Sequence, residues 1–255
     1  MENLKKKLIK HKITIGSWIS LGHSAIAEIM AKTGFDWLVV DMEHSVITLR
    51  EAQQLIQVIE LSGVVPLVRV GENNSLIIKR VMDAGAYGVI VPMVNTREDA
   101  IRAVEAVKYP PAGKRGVGLA RAQGYGVDFE KYKNWVNKGS IVIVQIEHID
   151  AINNLEEILA VDGVDGSIIG PYDLSASMGY PGEFKRKDVK QALKRYVDCC
   201  KKLHKPAGFH VVNPDFKEVQ EKVKGGFSFI AFGLDTLFMA EKCKAELSDI
   251  RRIVR

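Results

Sequence analysis

In the stretch FDWLVVDMEHS, residues 35–45, an apolar run ends in Asp41, Glu43 and His44, three groups that bury badly. Similar endings recur along the chain. Arg69 closes VVPLVR, Gln145 and Glu147 close IVIVQIE, and Asp173 follows SIIG in GPYDLS. Gln145 and Glu147 are two apart and so project from the same side of an extended chain. Glu147 and Asp173 are the best metal candidates: a carboxylate pair with no cysteine and no obligatory histidine makes a hard, oxygen-rich site. Such a site suits Mg²⁺ or Mn²⁺, with water completing the shell, better than zinc. Capping of the following helix is the competing use of Asp173. Arg69 cannot be buried without an anion, so it pairs with Glu43, with Asp41, or with the carboxylate or enolate of a ligand. Histidine carries a proton in either direction near neutral pH, which makes His44 an acid/base candidate. Asp83, in VMDAGAYG, orients that ring if the loops meet; a satisfied structural histidine is the plainer alternative. His11, His23, His148, His204 and His210 take no role from spacing alone.

Other chemistries lack their residues. Neither GxGxxG nor GxxxxGK[ST] occurs, so no nucleotide fingerprint is present, and there is no GxSxG elbow for acyl transfer. A Schiff base would need a lysine inside a strand, and the strand-like segments contain none. FGLD, near the chain's end, is placed where barrels cradle phosphates.

The elements that position these groups alternate. ITIGSWIS, WLVVDMEH, VVPLVRV, YGVIVPMV, IVIVQIEH, VDGSIIGP, AGFHVV and FSFIAFG are short, rich in Val, Ile and Phe, and bounded by Gly, Pro or Asn. They read as eight strands. Segments of helical period lie between them, several ending in Gly as a helix C-terminus prefers. Eight such units in 255 residues predict an α/β fold, a (β/α)8 TIM barrel forming one domain over 1–255 with a short basic N-terminal helix. An open doubly wound sheet is the runner-up. In a barrel, the polar strand ends gather on one rim. The long segment YPPAGKRGVGLARAQGYGVDF is expected to be a lid or binding loop that meets the substrate.

Composition excludes several classes. With 47% hydrophobic and 26% charged residues, the chain has a full core and is not disordered. The net charge of +5 comes from 36 basic and 31 acidic residues spread along the helices. Only Lys5, Lys6, Lys7, Lys10 and Lys12 cluster, and they read as a solvated terminal face, so no nucleic-acid partner is expected. No apolar run reaches about 18 residues and no export signal is read, so no membrane partner is expected either. Three cysteines without a CxxC pair point to reduced thiols and a cytoplasmic location.

GSW, FDWLVVDMEH, PLVRV, MDAGAYGVIVPMV, YPPAGKRGVG, VQIEH and VDGSIIGPYDLSASMG, in this order from about residue 16 to 182, resemble the HpcH/HpaI aldolases. These are metal-dependent class II pyruvate aldolases of the phosphoenolpyruvate/pyruvate barrel superfamily. The resemblance implies that Glu147 and Asp173 ligate a divalent ion, Mg²⁺, Mn²⁺ or Co²⁺, and that Gln145 helps place substrate or a water. It implies an acid/base role for His44 supported by Asp83, and an arginine, Arg69, facing the keto oxygen. Backbone amides around Gly170, Pro171, Tyr172 and Asp173 would hold the pyruvate carboxylate. It further implies a homo-oligomer, a hexamer built from dimers. Two positions depart from relatives, His148 where Thr is usual and Tyr172 where several have Ala. The expected reaction is reversible cleavage of a 4-hydroxy-2-oxo acid, such as a 2-keto-3-deoxy sugar acid or a 4-hydroxy-2-oxoheptanedioate-like compound, to pyruvate and an aldehyde. Replacing Arg69 by alanine is expected to damage turnover far more than folding. The alternatives are a lyase or decarboxylase acting on an oxaloacetate-like or acyl-CoA substrate, and a metabolite-binding barrel without turnover.

Overall fold

The computed structural model describes residues 4–254, so the first three residues and the last of the expected 1–255 domain lie outside it. Eight parallel strands close into a barrel in chain order: β1 (Thr14–Ile19), β2 (Trp37–Asp41), β3 (Val65–Arg69), β4 (Gly88–Val91), β5 (Ile141–Ile146), β6 (Gly166–Ile169), β7 (Ala207–Val211) and β8 (Phe229–Leu234). The pairing of β1 with β8 completes the ring and removes the open sheet from consideration. Helices alternate with the strands: α1 (Leu4–Ile9), α2 (Ser24–Ala31), α3 (Leu49–Leu61), α4 (Ser75–Asp83), α5 (Arg97–Val107), α6 (Phe129–Gly139), α7 (Ile149–Asn153), α8 (Leu155–Leu159), α9 (Pro171–Ser177), α10 (Lys187–Lys202), α11 (Phe216–Lys224) and α12 (Asp235–Ile253). No helix among the described residues is long and apolar enough to cross a membrane.

Two local outcomes differ from the periodic pattern. The segment expected as one helix, AINNLEEIL, breaks into α7 and α8 at Asn154, which leaves helical geometry while its side-chain amide donates to the Asn95 carbonyl at 2.9 Å. PYDLSAS, not anticipated as helix, forms α9 with Pro171 at its first position, where a missing N–H costs nothing.

The strands are apolar throughout because both of their faces are buried. One face fills the barrel interior with Trp18, Trp37, Val39, Val65, Leu67, Ile141, Ile143, Ile168 and Phe229. The other packs against the helices through Leu38, Val40, Val68, Val142, Val144 and Ile146. Trp37 lies flat on Phe229, ring centroids 4.1 Å apart, and this needs Gly16: a Cβ there would fall 2.0 Å from the indole. Because strand side chains alternate with a period of two, the series Trp37, Val39 continues inward at Asp41, Val65, Leu67 at Arg69, and Ile141, Ile143 at Gln145. The same alternation that builds the core therefore aims the polar residues into the mouth.

The opposite end is plugged. Leu4 and Leu8 of α1 belong to the interior cluster, and the helix is tied down by its lysines. Lys5 Nζ lies 3.0 Å from Asp165 and donates to the Ser140 carbonyl at 2.7 Å, and Lys7 Nζ lies 2.7 Å from Asp36. The lysine cluster is thus only partly a solvated face: Lys6, Lys10 and Lys12 are exposed, while Lys5 and Lys7 are half-buried anchors.

The long segment after α5 is also at this closed end. In a parallel barrel each helix returns the chain to the N-terminal ends of the strands, so a helix-to-strand connection lies away from the mouth. The segment is built around buried Arg115, which donates to the Val107 carbonyl (3.0 Å) and the Tyr132 hydroxyl (2.8 Å) and stacks on Tyr109 at 4.5 Å. No residue from 109 to 128 lines the mouth cleft, which overturns for this chain the expected lid over its own substrate.

Candidate active site

The mouth holds a cleft of about 670 Å³, whose walls include Trp18, Asp41, His44, Arg69, Gln145, Gly170, Asp173 and His210. Arg69 is 12% exposed and is gripped on two edges by Asp41: Nε donates to Oδ1 at 2.9 Å and Nη2 to Oδ2 at 2.6 Å. The Glu43 carboxyl is its second neighbour, at 3.3 Å, and the Trp18 ring lies under the guanidinium at 4.3 Å. Of the partners the sequence left open for Arg69, Asp41 is the bidentate one. Burial opposes ionisation of Asp41, but the hydrogen bonds and charge of Arg69, with the His44 and Glu43 amides, outweigh it and hold the carboxyl below its usual range.

Glu43 behaves oppositely. Burial lifts its carboxyl from 4.5 to about 7 against the pull of Arg69, and the negative charges of Glu147, Asp41 and Asp173 add to the rise. A carboxyl with a raised folded pKa takes up a proton on folding, so its contribution to stability is complete below 4.5 and is lost as pH rises through about 7. Glu43→Gln, neutral at every pH, is therefore expected to gain melting temperature relative to the parent between about pH 5 and pH 8. Thermal melts across that range check this, and a constant difference would count against the raised carboxyl.

Glu147 is 4% exposed, and Met93 N–H donates to its Oε1 at 2.7 Å. Gln145 Nε2 hydrogen-bonds its Oε2. Asp173 sits in the first turn of α9 and is exposed; no side-chain cap exists on that helix, so the capping use of Asp173 is not the one realised. The two carboxylates converge on Gly170. A Cβ at that glycine would lie 3.2 Å from Glu147 Oε2 and 3.7 Å from Asp173 Oδ2, so glycine keeps the space between them open. Beside Glu147, Gln145 Oε1 is buried without a hydrogen-bond partner, whereas Glu43 Oε2 is taken up by the ion pair with Arg69. Open space between two carboxylates, with one orphaned amide oxygen beside it, fits a hard cation and its waters. Among the described residues no third His, Cys, Asp or Glu joins them to complete a protein-only ligand set.

The expected carboxylate cradle is narrower than the sequence suggested. The Gly170 amide is already bonded to the Ile146 carbonyl (3.0 Å) and Pro171 has none, which leaves the amides of Tyr172 and Asp173 in the first turn of α9. Tyr172 is exposed and meets Phe184 edge-on at 4.7 Å, on the wall of the cleft. His148 accepts from the Asp150 amide at 3.2 Å as the N-cap of α7. It thereby does what a threonine does at a helix start, and it does not line the cleft. In FGLD, Asp235 already fills the turn: its carboxylate accepts from the amides of Ser20 and Leu21, both at 2.8 Å, so this is no phosphate cradle.

His44 is at the rim, its side chain 66% exposed, with Nε2 3.9 Å from Glu43. Asp83 is not beside it. Asp83 ends α4 at the closed end of the barrel, where Arg115 Nη2 and Gln123 Nε2 each donate to it at 3.3 Å. The expected pairing of His44 with Asp83 is therefore not made within one chain. Sequence reasoning missed Trp18 and His210 as cleft walls and Met93 as the amide holding Glu147. For Trp18 and His210 a signal existed in the inward register of β1 and β7; for Met93, which sits in the left-handed region at φ 52°, there was none.

A carboxylate pair and a held arginine at the C-terminal mouth of a closed (β/α)8 barrel define the class as barrel enzymes, whose chemistry sits at that end. The sequence model of the HpcH/HpaI aldolase/citrate lyase family matches residues 14–241. A 2-keto-3-deoxy-L-rhamnonate aldolase of Escherichia coli (strain K12) is 38% identical over 246 residues, which is 96% of this chain and 91% of the relative. An HpcH/HpaI aldolase/citrate lyase family protein from Burkholderia cenocepacia J2315 superposes with a TM-score of 0.92 at 31% identity, over 97% of this chain and 98% of that one. An HpcH/HpaI aldolase from Desulfitobacterium hafniense DCB-2 follows with 0.89 at 29%, over 98% and 96%. The chain belongs to the HpcH/HpaI aldolase/citrate lyase family. It is an aldolase, a carbon–carbon lyase.

Proposed function

We propose that the enzyme reversibly cleaves a 4-hydroxy-2-oxo acid, of the 2-keto-3-deoxy sugar acid kind, to pyruvate and an aldehyde. The observation that carries this is the convergence of Glu147 and Asp173 on the open space at Gly170, next to an arginine that Asp41 holds in place. Glu147 and Asp173 would hold a divalent cation, Mg²⁺, Mn²⁺ or Co²⁺, and such an ion supplies Lewis-acid stabilisation of charge on an oxo acid. Gln145, with its free Oε1, positions the oxo acid or a water. The Tyr172 and Asp173 amides receive the carboxylate. Arg69, fixed before substrate arrives, faces the keto oxygen, where negative charge grows as the carbon–carbon bond breaks; a preorganised donor is worth most at that moment. His44 moves the proton of the 4-hydroxyl, directly or through water.

Residues 1–255 act as one catalytic domain, and the working form is an oligomer, a hexamer on the resemblance. In support, α12 has only Asp235 buried and leaves Met239, Leu247, Ile250 and Ile253 exposed. If Asp83 serves a His44, geometry requires that it serve the His44 of a second copy. Three free thiols, with Cys243 exposed, suit the reducing cytoplasm.

The test is condensation of pyruvate with a panel of aldehydes under Mg²⁺, Mn²⁺ or Co²⁺, before and after EDTA. Chelation is expected to abolish product and re-addition of the ion to restore it. Activity indifferent to EDTA, or decarboxylation of oxaloacetate without any aldehyde product, would overturn this reading.

A further inference from the structure

His210 is an inward residue of β7 with no part in the chemistry above. Its Nε2 lies 3.1 Å from the Gly233 carbonyl oxygen. A carbonyl can only accept, so Nε2 carries the proton and donates. Burial pushes the pKa of the ring down to about 4, with the Arg69 charge adding to the fall against the Gly233 hydrogen bond and Asp41, so the imidazole is neutral at working pH. A neutral imidazole protonated on Nε2 has a lone pair on Nδ1. That nitrogen bonds to no described residue, yet it is not among the sealed partnerless atoms, and the residue lines the mouth cleft. Nδ1 is thus an acceptor open to the space where substrate lies. Next to it, ring centroids 5.5 Å apart, stands Trp18, 3% exposed, whose indole N–H is buried without a partner. The sealed Trp18 N–H cannot be reached from the cleft, so this wall offers one open acceptor, Nδ1, and an alcohol group is complementary to it because its O–H donates.

We infer that His210 Nδ1 accepts a hydrogen bond from a hydroxyl group on the aldehyde half of the substrate, so that the site selects 2-hydroxyaldehydes over unsubstituted aldehydes of the same length. This rests on the aldol reaction proposed above. The neighbouring Arg69 marks the reacting end of the cleft, and the carbon next to the aldehyde is the nearest one that can carry such a hydroxyl. A site that bonds a substrate hydroxyl discriminates against the analogue lacking it, because its own polar group is then left dry and unpaired.

The experiment measures kcat and KM for condensation of pyruvate with two matched pairs, glycolaldehyde against acetaldehyde and lactaldehyde against propanal. It uses the full-length enzyme and its His210→Leu and His210→Asn variants. In the unsubstituted enzyme the hydroxylated member of each pair is expected to have the higher kcat/KM. In His210→Leu the ratio within each pair is expected to fall about tenfold, mostly through KM of the hydroxyaldehyde, and His210→Asn, which keeps an amide oxygen, is expected to retain part of the preference. The ratio compares two substrates on one sample, so partial misfolding cancels. A ratio that changes less than threefold in His210→Leu, or an unsubstituted enzyme with no preference, overturns the inference while leaving the aldol reaction standing. No product from any of the four aldehydes overturns both.

Discussion

Arg69→Lys is expected to lower kcat by about two to three orders of magnitude while leaving the barrel folded. Lysine keeps the positive charge between Asp41 and Glu43, so neither carboxylate is abandoned in the mouth. It cannot, however, reproduce the planar fork that meets Asp41 through Nε and Nη2 at 2.9 and 2.6 Å. A donor that is no longer fixed has to be reoriented as charge develops, which is the cost that preorganisation avoids. Steady-state rates with pyruvate and a reactive aldehyde, alongside urea unfolding, measure the two effects separately. A rate within threefold of the parent would remove Arg69 from the reaction. Alanine is the poorer test, contrary to the expectation from sequence. It would leave Asp41, 5% exposed, without its counter-charge, and breaking a buried pair from one side costs about 3–5 kcal/mol. Folding and turnover would then fail together.

Glu147→Gln should have the other large effect: a loss of divalent-ion binding, and with it about a thousandfold or more in turnover. The amide is nearly isosteric and can still accept from Met93 N–H, so the loop after β4 keeps its anchor. It has lost the charge that, with Asp173, makes the space at Gly170 attractive to a cation. Since two ligands of one ion act as a unit, the Glu147→Gln, Asp173→Asn double variant is expected to be no worse than the poorer single one. Titration calorimetry with Mn²⁺ and rates at saturating Mn²⁺ test this together. Undiminished binding by Glu147→Gln would show that the ion, if any, is held elsewhere.

The strands were legible because burial on two faces demands unbroken runs such as WLVV and IVIV, and few other structures do. The mouth was legible for the same reason: where such a run ends in Asp41, Arg69 or Gln145, the period of two decides which way each points. What escaped was everything set by a choice between close equivalents. Asp41 and Glu43 both neighbour Arg69, and only packing decides that Asp41 takes the fork while Glu43 keeps a proton to about pH 7. Asp83 and the segment after α5 were misplaced although topology contained the answer. Asp83 ends a helix and the segment follows one, each ahead of a strand, which sends them to the closed end, and the bonds of Arg115 to Asp83 and Tyr132 fix them there. α9 escaped because a Gly-Pro start reads equally well as a turn.

The plugged end of the barrel has a consequence for traffic. With Leu4 and Leu8 packed in one cluster with the stacked Trp37 and Phe229, the described residues leave no back door, and what enters by the mouth leaves by it. On the reaction proposed above, a three-carbon oxo acid held beside Glu147 would lie behind the aldehyde half, so the aldehyde would depart before pyruvate, and in the synthetic direction pyruvate would have to be seated first.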